Sequence, residues 1–458
     1  MGQDNRSREI ADHLRGQILG MSAGTRLPGV RELSARFHAS AATISSALAE
    51  LTARGLVRAE PGRGTFVIGR GHSSRPDYAW QSQALGPVRV DADRASRLGA
   101  HGQPEQLPLS WGYLADELQP TEHLRRISAR VARSARGWGL TPPAGSAELR
   151  RLIAAEYRAQ PEDVQIVPGG QQGLVFAFRT LAEPGETIVM ESPTYPGAIL
   201  AAQSAGLRIA AVPADAEGIR IDLLADELER TRARVVYLQP AFANPTGAVM
   251  SEHRRREALA LAAARGAFIV EDDWARHLGL ERPAPAPLFT ADTDGHVVSI
   301  TTLAKPVSPG LRVGAIIARG PAGARLRASR IADDLGVSPL MQEIAFEFLS
   351  SSEWGRHRKR LRIALSDRRD ALLAAVATND DLQVPHVPQG GLHLWVRLPG
   401  DVDTRALSRA AHTAGVLVGD GSHYFVDEPP APFVRLSFGA ASPPQMAEGV
   451  RRLEGVLH

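Results

Sequence analysis

The chain contains only two lysines among its 458 residues. Subtracting Lys305 and Lys359 from the 53 Lys and Arg residues leaves 51 arginines. Lys305 lies in the stretch TTLAKPVSPGLR, residues 301–312, directly after an apolar segment. An arginine stays protonated in proteins, whereas a lysine with a lowered pKa becomes a neutral nucleophile that forms a Schiff base with a carbonyl group. Lys305 is therefore a candidate nucleophile, and the alternative is an ordinary surface lysine.

Four further motifs of small or polar residues lie beside apolar segments. In chain order they are Pro168–Gly173 (PGGQQG), Glu191–Gly197 (ESPTYPG), Asn244–Gly247 (NPTG) and Glu271–Trp274 (EDDW). Ligands of open α/β sheets gather at the carboxyl ends of the strands, so motifs at strand ends are candidate binding sites. Each motif alone also has an ordinary explanation as a turn, a core residue or a solvated acidic loop.

The residue types in these motifs offer contacts to specific chemical groups. Backbone amides at a helix start after Pro168–Gly173 can hold a phosphate. Asn244, fixed by Pro245, can donate to a phenolate oxygen, and a carboxylate of Glu271–Trp274 can face a pyridinium nitrogen. Carboxylates also bind metals, but the sequence has no Cys and no His cluster at ligand spacing, so we expect no metal site.

These motifs must be positioned by the alternating helix and strand patterns of residues 107–458. Five apolar runs predict buried strands. They are Thr187–Met190, Arg208–Val212, Val235–Leu238, Phe268–Val270 and Val297–Ile300. The alternation is typical of the α/β class, in which helices cover both faces of a parallel sheet.

The N-terminal residues 7–68 have a different pattern, that of three short helices and a hairpin. The predicted helices are a first one through Ile10, Leu14 and Ile18, a second at Arg31–Phe37 and a third at Ala41–Ala53. Ser40 can cap the third helix, and Gly62–Gly64 can turn between two strands with Arg63 at the tip. Together they predict a winged helix-turn-helix.

The positive charge of the chain is concentrated in this segment. Residues 1–70 carry ten Arg and six Asp or Glu, a balance of +4, while the whole chain carries +3. The other 388 residues therefore carry −1. The asymmetry indicates, weakly by itself, binding to nucleic acid. The alternative is a winged helix that serves only packing or partner binding.

Composition restricts the class of protein. A hydrophobic fraction of 43% and a charged fraction of 22% are typical of globular proteins, and no apolar run approaches the ~20 residues of a membrane span. The N-terminus lacks an apolar signal core, and there is no cysteine. We expect a cytoplasmic protein without a membrane partner. The expected segments are a DNA-binding domain at 1–70, a linker at 71–106 and a large domain at 107–458.

Residues 27–67, LPGVRELSARFHASAATISSALAELTARGLVRAEPGRGTFV, resemble the winged helix of GntR-type regulators. The resemblance implies double-stranded DNA as a partner, with the third helix in the major groove and the wing in the minor groove. The implied DNA contacts are Arg31, Ser40, Thr43, Ser45, Arg63 and Gly64. One departure is the start of the third helix, Ala41–Ser46, where relatives place arginines that read guanine.

The five motifs of the larger part resemble, in type and order, those of class I aminotransferases, enzymes of fold type I that use pyridoxal 5'-phosphate. Behind a winged helix, this arrangement is similar to the MocR subfamily of GntR-type transcriptional regulators. The resemblance covers nearly the whole chain. It implies an α/β fold with an N-terminal winged helix-turn-helix and a fold type I aminotransferase-like domain that has large and small subdomains. It also implies a homodimer.

The resemblance assigns roles to individual residues. Lys305 would form the internal aldimine, Asp272 would pair with the pyridine nitrogen, Asn244 with the ring oxygen and Tyr195 with the ring face. The phosphate would lie on Gly170, Gln171, Thr302 and Arg312. Arg435 would clamp the α-carboxylate of an amino acid, and its alternative role is a structural salt bridge.

Two positions depart from the aminotransferase pattern. Trp274 stands where relatives commonly have a tyrosine that contacts the cofactor oxygen, and an indole can donate a hydrogen bond but cannot accept one. Trp274 remains an expected cofactor contact. Ala304 stands where serine is frequent, which removes a possible phosphate contact. Both changes are compatible with cofactor binding and count against efficient transamination.

The function expected from these residues is that of a pyridoxal phosphate-dependent transcriptional regulator. It would sense an amino acid or amine by external aldimine formation, which changes how the winged helices are spaced on DNA. The alternative is an active class I aminotransferase with a vestigial winged helix, favoured by the alanines of Ala41–Ser46 and disfavoured by Trp274. A third possibility, a cofactor domain that binds nothing, conflicts with the intact set of Lys305, Asp272 and Asn244.

Overall fold

The computed structural model describes residues 2–18, 20–68, 78–99, 102–103 and 105–457. The chain forms two compact units, Met1–Pro87 and Val88–His458. None of the helices in these described ranges is long and apolar enough to cross a membrane. The same ranges contain no group of three or more His, Asp or Glu side chains that could hold a metal ion.

The first unit contains the predicted winged fold of three helices and a hairpin, followed by a short fourth helix. Its elements are α1 (Gly2–Ile18), α2 (Val30–Phe37), α3 (Ala41–Ala53), β1 (Val57–Glu60), β2 (Gly64–Val67) and α4 (Ala79–Ala84). The Ser40 hydroxyl accepts a hydrogen bond from the backbone N–H of Thr43 at 3.1 Å and so caps α3. Leu33 and Ile44 are fully buried in the core between the helices and the antiparallel hairpin.

The second unit is built on an eight-stranded mixed sheet. Its strands are β3 (Val164–Val167), β4 (Thr187–Ser192), β5 (Arg208–Asp215), β6 (Gly218–Ile219), β7 (Val235–Leu238), β8 (Phe268–Asp273), β9 (Val297–Thr302) and β10 (Gly314–Ile317). Their order is β3-β10-β9-β8-β7-β4-β5-β6. The five predicted strands are confirmed as the contiguous parallel block β9-β8-β7-β4-β5. Outside this block, β10 runs antiparallel to β3 and β9, and β6 runs antiparallel to β5, so the sheet as a whole is mixed.

Helices pack on both faces of this sheet, and the longer strands contribute side chains to the apolar clusters on both faces. The helices of this part are α5 (Ala92–Gly99), α6 (Thr121–Val131), α7 (Ala147–Tyr157), α8 (Gly170–Leu181), α9 (Pro196–Ser204), α10 (Ile221–Thr231), α11 (Glu252–Arg265), α12 (Leu288–Ala291), α13 (Gly320–Ile331) and α14 (Pro339–Ser350). In β7, Val236 and Leu238 belong to one apolar cluster, while Val235 and Tyr237 belong to the other. This alternation of faces is the reason that a short apolar run identifies each strand.

A smaller antiparallel sheet follows the long helix α15 (Ser352–Val376). Its elements are β11 (His393–Arg397), α16 (Thr404–Thr413), β12 (Gly419–Asp420), β13 (Phe433–Ser437) and α17 (Pro443–Glu454), with strand order β11-β13-β12. Leu394 and Val396 of β11 and Leu436 of β13 are fully buried in the core of this part. The arrangement corresponds to the small subdomain that the resemblance implies.

The segment predicted as a linker, 71–106, is only partly a connection between units. Residues 71–77, 100, 101 and 104 lie outside the described residues. From Val88 onward the chain belongs to the second unit. The backbone N–H of Asp91 donates to Gln203 Oε1 at 3.1 Å, and Arg94 Nη2 donates to the carbonyl of Phe425 at 2.9 Å. The boundaries of the three predicted segments stay predictions.

The core of the first unit gives a stability prediction. Ile44→Ala removes a fully buried side chain, so we expect the free energy of unfolding of α3 to fall by about 2–5 kcal/mol. Native-state hydrogen exchange of the amides in residues 41–53 measures this loss. Ser46→Ala, at an exposed position of the same helix, is the control and should change protection by less than about 0.5 kcal/mol. Equal effects of both changes would contradict the assigned core.

Candidate functional site

The predicted site residues follow neighbouring strands of the large sheet. β4, β7, β8 and β9 run parallel and lie side by side, so the residues after them meet at one edge. Tyr195 follows β4, Asn244 follows β7 and Lys305 follows β9. Asp272 is the second-last residue of β8. The hydrogen bonds at this edge show how the side chains are held.

The three carboxylates at the end of β8 have different partners, because side chains alternate between the two faces of a strand. Glu271 accepts from the backbone N–H of Leu288 at 2.7 Å. Asp273 accepts from the Tyr157 hydroxyl at 2.6 Å and from Arg276 Nε at 2.5 Å. These contacts bind the sheet to its helices. Only Asp272 faces the residues that follow the other strands.

Asp272 is held by two neutral donors. Its Oδ2 accepts from the Tyr237 hydroxyl at 2.7 Å and from Gln239 Nε2 at 2.9 Å. Burial raises the pKa of Asp272 to about 6, the two hydrogen bonds lower it, the nearby Asp273 raises it, and the Lys305 charge lowers it. The carboxylate is therefore mostly ionised at pH 7 and titrates close to neutrality.

Gln239 is a positioning residue that the sequence reasoning missed. Its side chain is 2% exposed, and Gln239 Oε1 accepts from the backbone N–H of Asn244 at 2.9 Å while its Nε2 group donates to Asp272. Its own backbone N–H donates to Glu191 Oε1 at 2.9 Å. One amide thus fixes two of the predicted cofactor contacts. The signal in the sequence was a polar residue directly after the apolar run of β7.

Arg435 reaches this edge from the small sheet. Its Nη1 donates to Asn244 Oδ1 at 3.0 Å and lies 3.4 Å from His393 Nε2, and its Nη2 donates to the carbonyl of Ser110. The guanidinium carbon lies 5.1 Å from the ring centre of Tyr424. All these partners are uncharged, and Arg435 forms no ion pair within the described ranges of the chain. The predicted alternative, a structural salt bridge, is absent from these contacts.

Lys305 lies between these two parts of the site. Its Nζ donates to the carbonyl of Gly112 at 2.7 Å and lies 3.8 Å from the ring centre of Tyr113. Burial lowers the pKa of Lys305 to about 7; the charges of Arg435 and Arg312 lower it as well, and Asp272 opposes them. The amine is therefore about half neutral at pH 7. No sequence signal pointed to Gly112 or Tyr113.

Predicted phosphate-binding residues gather at the start of α8. Gly170 is its first residue, and a Cβ there would lie 3.5 Å from the Thr302 side chain. Arg312 Nη2 donates to the carbonyl of Pro168 at 2.9 Å. Gly169 has φ 94°, and a Cβ there would approach the Arg312 guanidinium to 3.0 Å. The helix start, the Thr302 side chain and the Arg312 guanidinium therefore lie close together, and a helix start beside a guanidinium suits an anion.

Two further predicted residues, Gln171 and Tyr195, meet at Gly197. Gln171 Nε2 donates to the Gly197 carbonyl at 2.8 Å. A Cβ on Gly197 would lie 2.3 Å from the Tyr195 ring and 2.4 Å from Gln171 Oε1, so only glycine fits there. Burial raises the pKa of Tyr195, which keeps its hydroxyl protonated.

Trp274 stacks on a residue that the sequence reasoning missed. The rings of Trp274 and His393 lie 5.8 Å apart at 21°. Burial, followed by the charges of Arg435 and Lys305, lowers the pKa of His393 well below its ordinary value, so the imidazole is neutral. His393 is the first residue of β11, and it lies beside Arg435 because β11 pairs with β13 in the small sheet.

The predicted DNA contacts lie on one end of the first unit and differ in exposure. Ser45 and Arg31 are exposed on α3 and α2. Thr43 is 7% exposed, and its hydroxyl lies 2.8 Å from the Ser40 hydroxyl, so it already has a structural partner. Its predicted DNA contact stays a prediction.

The wing is built from the hairpin of β1 and β2. Arg63 is exposed at the tip, although its guanidinium pairs with Glu60 at 2.7 Å. Gly64 has φ 123°, and a Cβ there would lie 2.7 Å from Arg26 Nε. The glycine therefore allows a second arginine to approach the wing backbone.

Comparisons with known proteins agree with both parts of this architecture. Residues 104–453 match the family "Aminotransferase class I and II", and residues 6–67 match "Bacterial regulatory proteins, gntR family". The chain therefore belongs to the class I and II aminotransferase family. With its N-terminal unit, it is a GntR-type regulator fused to an aminotransferase domain, and the predicted resemblance to such regulators is confirmed.

Individual relatives have either the whole architecture or the larger part alone. The HTH-type transcriptional regulator YisV of Bacillus subtilis is 30% identical over 97% of this chain and 94% of its own length. The probable rhizopine catabolism regulatory protein MocR of Rhizobium meliloti is 27% identical over 98% and 93%. The 2-aminoadipate transaminase of Thermus thermophilus is 32% identical over 78% and 91%.

A solved structure supports the same fold. The α-aminoadipate aminotransferase LysN of Thermus thermophilus, in complex with N-(5'-phosphopyridoxyl)-L-leucine, superposes with a TM-score of 0.75 at 30% identity. The match covers 82% of this chain and 98% of that one. The fold type I architecture with a large and a small subdomain is thereby confirmed.

The lowered pKa of Lys305 gives a titration that can be measured. In the cofactor-free protein, acylation of Lys305 by an amine-specific reagent should rise with pH and level off above about pH 7, because only the neutral amine reacts. Mass spectrometry of the peptide that contains Lys305 gives the rate, and Lys359→Gln removes the other lysine. Arg435→Met should raise the midpoint, and Asp272→Asn should lower it. A midpoint near that of a free lysine would contradict the assigned surroundings.

The position of Gln239 gives a second prediction. Gln239→Met removes a donor that stabilises the charged form of Asp272, so the pKa of Asp272 should rise above about 6. Loss of negative charge near neutrality should then shift the acylation midpoint of Lys305 below about 7. Gln203→Met changes a glutamine on α9 whose Oε1 accepts from the backbone N–H of Asp91, and it is the matched control. Identical midpoints for the two variants would remove Gln239 from this role.

Proposed function

We propose that this protein is a pyridoxal phosphate-dependent, DNA-binding transcriptional regulator that senses an amino compound. The observation that carries the proposal is the convergence of Lys305, Asp272, Asn244 and Arg435 at one sheet edge, in a chain that also contains a winged helix. The class I aminotransferase fold is a pyridoxal phosphate-dependent one, and a phosphopyridoxyl complex is found in a solved relative.

The residues at the site fit this cofactor. Among the described residues, Gln171 Oε1, Trp274 Nε1 and Arg435 Nε are buried polar atoms without a hydrogen-bond partner in the chain. Buried polar groups are normally paired, so unpaired atoms around one place support a polar ligand. We propose that Gly170, Gln171, Thr302 and Arg312 hold its phosphate. Tyr195, Asn244, Asp272 and Trp274 contact its ring.

The bound cofactor would supply an aldehyde that condenses with amines and a pyridine ring that withdraws electrons. The residues of this chain prepare for that chemistry. Lys305 offers a neutral amine near pH 7, so it can act as nucleophile without strong base. Asp272 is an ionised acceptor that can keep a pyridine nitrogen protonated. Asn244, oriented by its bond to Arg435, keeps its amide N–H group for the ring oxygen.

Arg435 favours an amino acid as the effector. Its charge is not neutralised by its partners in the described chain, which are a carbonyl, an amide oxygen and a neutral imidazole. A carboxylate satisfies such a guanidinium better than any neutral group, through two parallel hydrogen bonds. Binding would release the Lys305 amine and change the packing between the two sheets.

The response would be transmitted to DNA as a change in equilibrium between two arrangements. Effectors shift such equilibria only through a difference in affinity for the two states. We propose a homodimer, in which two winged helices contact paired half-sites whose spacing depends on the larger units. A regulator of this kind works in the compartment of the DNA, which in a bacterium is the cytoplasm.

A second candidate function is that of an active class I aminotransferase with a secondary winged helix. The observation that favours it is the surface of α3, where Ala41, Ala42 and Ser45 are exposed and no arginine occurs in the first turns. A relative with the larger part alone is named 2-aminoadipate transaminase. Trp274 and Ala304 count against efficient turnover, so we rank regulation first.

One titration distinguishes the two functions. Purified protein is supplied with pyridoxal phosphate, and the cofactor absorbance is followed on addition of amino acids and then of a keto acid. We expect a shift with an amino acid, no sustained turnover, and retardation of DNA from the region upstream of its own gene. Lys305→Ala should abolish the part of the cofactor absorbance that comes from a Schiff base with the protein.

The Lys359→Gln variant is the matched control for the absorbance, because it removes the only other lysine and should keep the cofactor absorbance and its response to amino acids. Sustained formation of keto acid without DNA retardation would reverse the ranking in favour of the enzyme. No bound-cofactor absorbance in the wild type would rule out both functions.

A further inference from the structure

The first half of α15 exposes five cations within seven residues. They are Arg356, Arg358, Lys359, Arg360 and Arg362. The carboxylate of Glu353 pairs with Arg356 at 2.8 Å and with Arg360 at 2.5 Å. The other three form no ion pair with any residue in the described ranges. This segment therefore presents far more positive charge than its single carboxylate can balance.

The start of α6 lies beside this segment and is also basic. His123 Nε2 of α6 is 3.4 Å from Glu353 Oε2, which joins the first turns of the two helices. The side chains of Arg125 and Arg126 are 74% and 59% exposed, and Arg133 is exposed just beyond the end of α6. We call the exposed cations of residues 121–133 and 353–362 the basic surface.

This charge is unusual for the unit that carries it. Residues 121–133 contain four Arg and one Glu, a balance of +3, and residues 353–362 contain four Arg, one Lys and one Glu, a balance of +4. The whole chain carries a net charge of +3, of which residues 1–70 carry +4. Residues 71–87 contain one Arg and one Asp and are neutral overall, so residues 88–458 carry −1. The rest of the unit therefore carries −8. Ordinary solvated surfaces intersperse both signs.

We propose that the basic surface binds the phosphate backbone of duplex DNA and is a second DNA-contact surface of this protein. Arginine, which dominates it, matches phosphate through paired hydrogen bonds. Ten helical residues extend about 15 Å, and duplex DNA presents one charge per about 1.7 Å of axis, so several phosphates lie within reach. The inference rests on the proposed function, because a regulator with a winged helix already brings duplex DNA to the molecule.

An anionic membrane is a poorer match for this surface. A helix that lies on a membrane buries an apolar face between the acyl chains. The apolar side chains Leu361 and Leu365 of α15 are instead buried in the protein core, at 2% and 0% exposure. In residues 356–363 the exposed side chains are five cations and one apolar side chain, Ile363 at 52% exposure, which is too little for an apolar face. Phosphate contacts of this kind give affinity without reading bases.

The buried side of the same helix contacts the residue after Lys305. His357 is 3% exposed, and its Nε2 lies 2.7 Å from the carbonyl oxygen of Pro306. Burial lowers the pKa of His357, so the ring is neutral and donates its Nε2–H group to that carbonyl. Pro306, the residue directly after Lys305, is thus hydrogen-bonded to the helix that carries the basic surface. A movement of the backbone at Lys305 would therefore act on that helix.

The test uses the full chain with its cofactor and the variant Arg358→Gln/Lys359→Gln/Arg362→Gln, which leaves the pairs of Glu353 intact. Affinity for the upstream duplex is measured by fluorescence anisotropy at several salt concentrations. Each phosphate contact contributes about 0.9 to the slope of log affinity against log salt. We expect the slope to become less steep by about 0.9 for each lost contact, and by at most about 2.7.

The matched control is Arg208→Gln/Arg282→Gln/Arg405→Gln, which removes three exposed arginines elsewhere on the unit and changes the net charge equally. Equal slopes for the two triple variants would overturn the inference, as would a wild type that binds no duplex. Vesicles that contain phosphatidylserine provide a second arm. Loss of vesicle binding with an unchanged DNA slope would assign the surface to membranes instead.

The same samples separate this inference from the proposed function. Cofactor absorbance and its response to amino acids should be identical in the wild type and both triple variants, because none of the six residues lies at the site. If that response is absent from the wild type, the proposed sensing function fails. If it is present and the slopes are equal, only the second DNA-contact surface fails.

Discussion

Two opposite charges act on the Lys305 amine, and the architecture of the larger unit serves to hold them. Arg435 lowers the pKa of Lys305 and Asp272 raises it, while burial sets the overall direction. Asp272 is at the end of a central parallel strand, whereas Arg435 is on a strand of the small sheet. The amine therefore has its reactive character only when both sheets are folded and in contact through the Arg435–Asn244 hydrogen bond.

Neutral groups orient the charged side chains Asp272 and Arg435, so both keep their charge for a ligand. Gln239 orients Asn244 and Asp272 and leaves the charge of Asp272 uncompensated, and the Ser110 carbonyl orients Arg435 without an ion pair. A salt bridge at either place would consume the charge that a pyridine nitrogen or a carboxylate is proposed to meet. Burying these charges costs free energy, and the surrounding hydrogen bonds offset part of that cost.

The sequence was sufficient where function and local pattern coincide. The strands of the parallel block are short apolar runs followed by polar residues, so the sequence could place Asn244, Asp272 and Lys305 together at the carboxyl edge of the sheet. Gly112, His393 and Gln239 were missed, because their roles arise from contacts between segments distant in the chain. The antiparallel β10 was missed as well, since orientation depends on pairing and leaves no mark in the apolar pattern.

The surface of α3 restricts how such a protein could select its DNA. Exposed Ala41, Ala42 and Ser45 offer methyl and hydroxyl contacts but no bidentate donor for guanine, so direct readout by this helix is weak. Phosphate contacts add affinity for any sequence and cannot replace the missing readout. In the proposed homodimer, selectivity would then come from geometry: the spacing of paired half-sites and the deformability of the DNA between them. Selection by spacing is well suited to control by a ligand, because a rearrangement of the larger units would change that spacing.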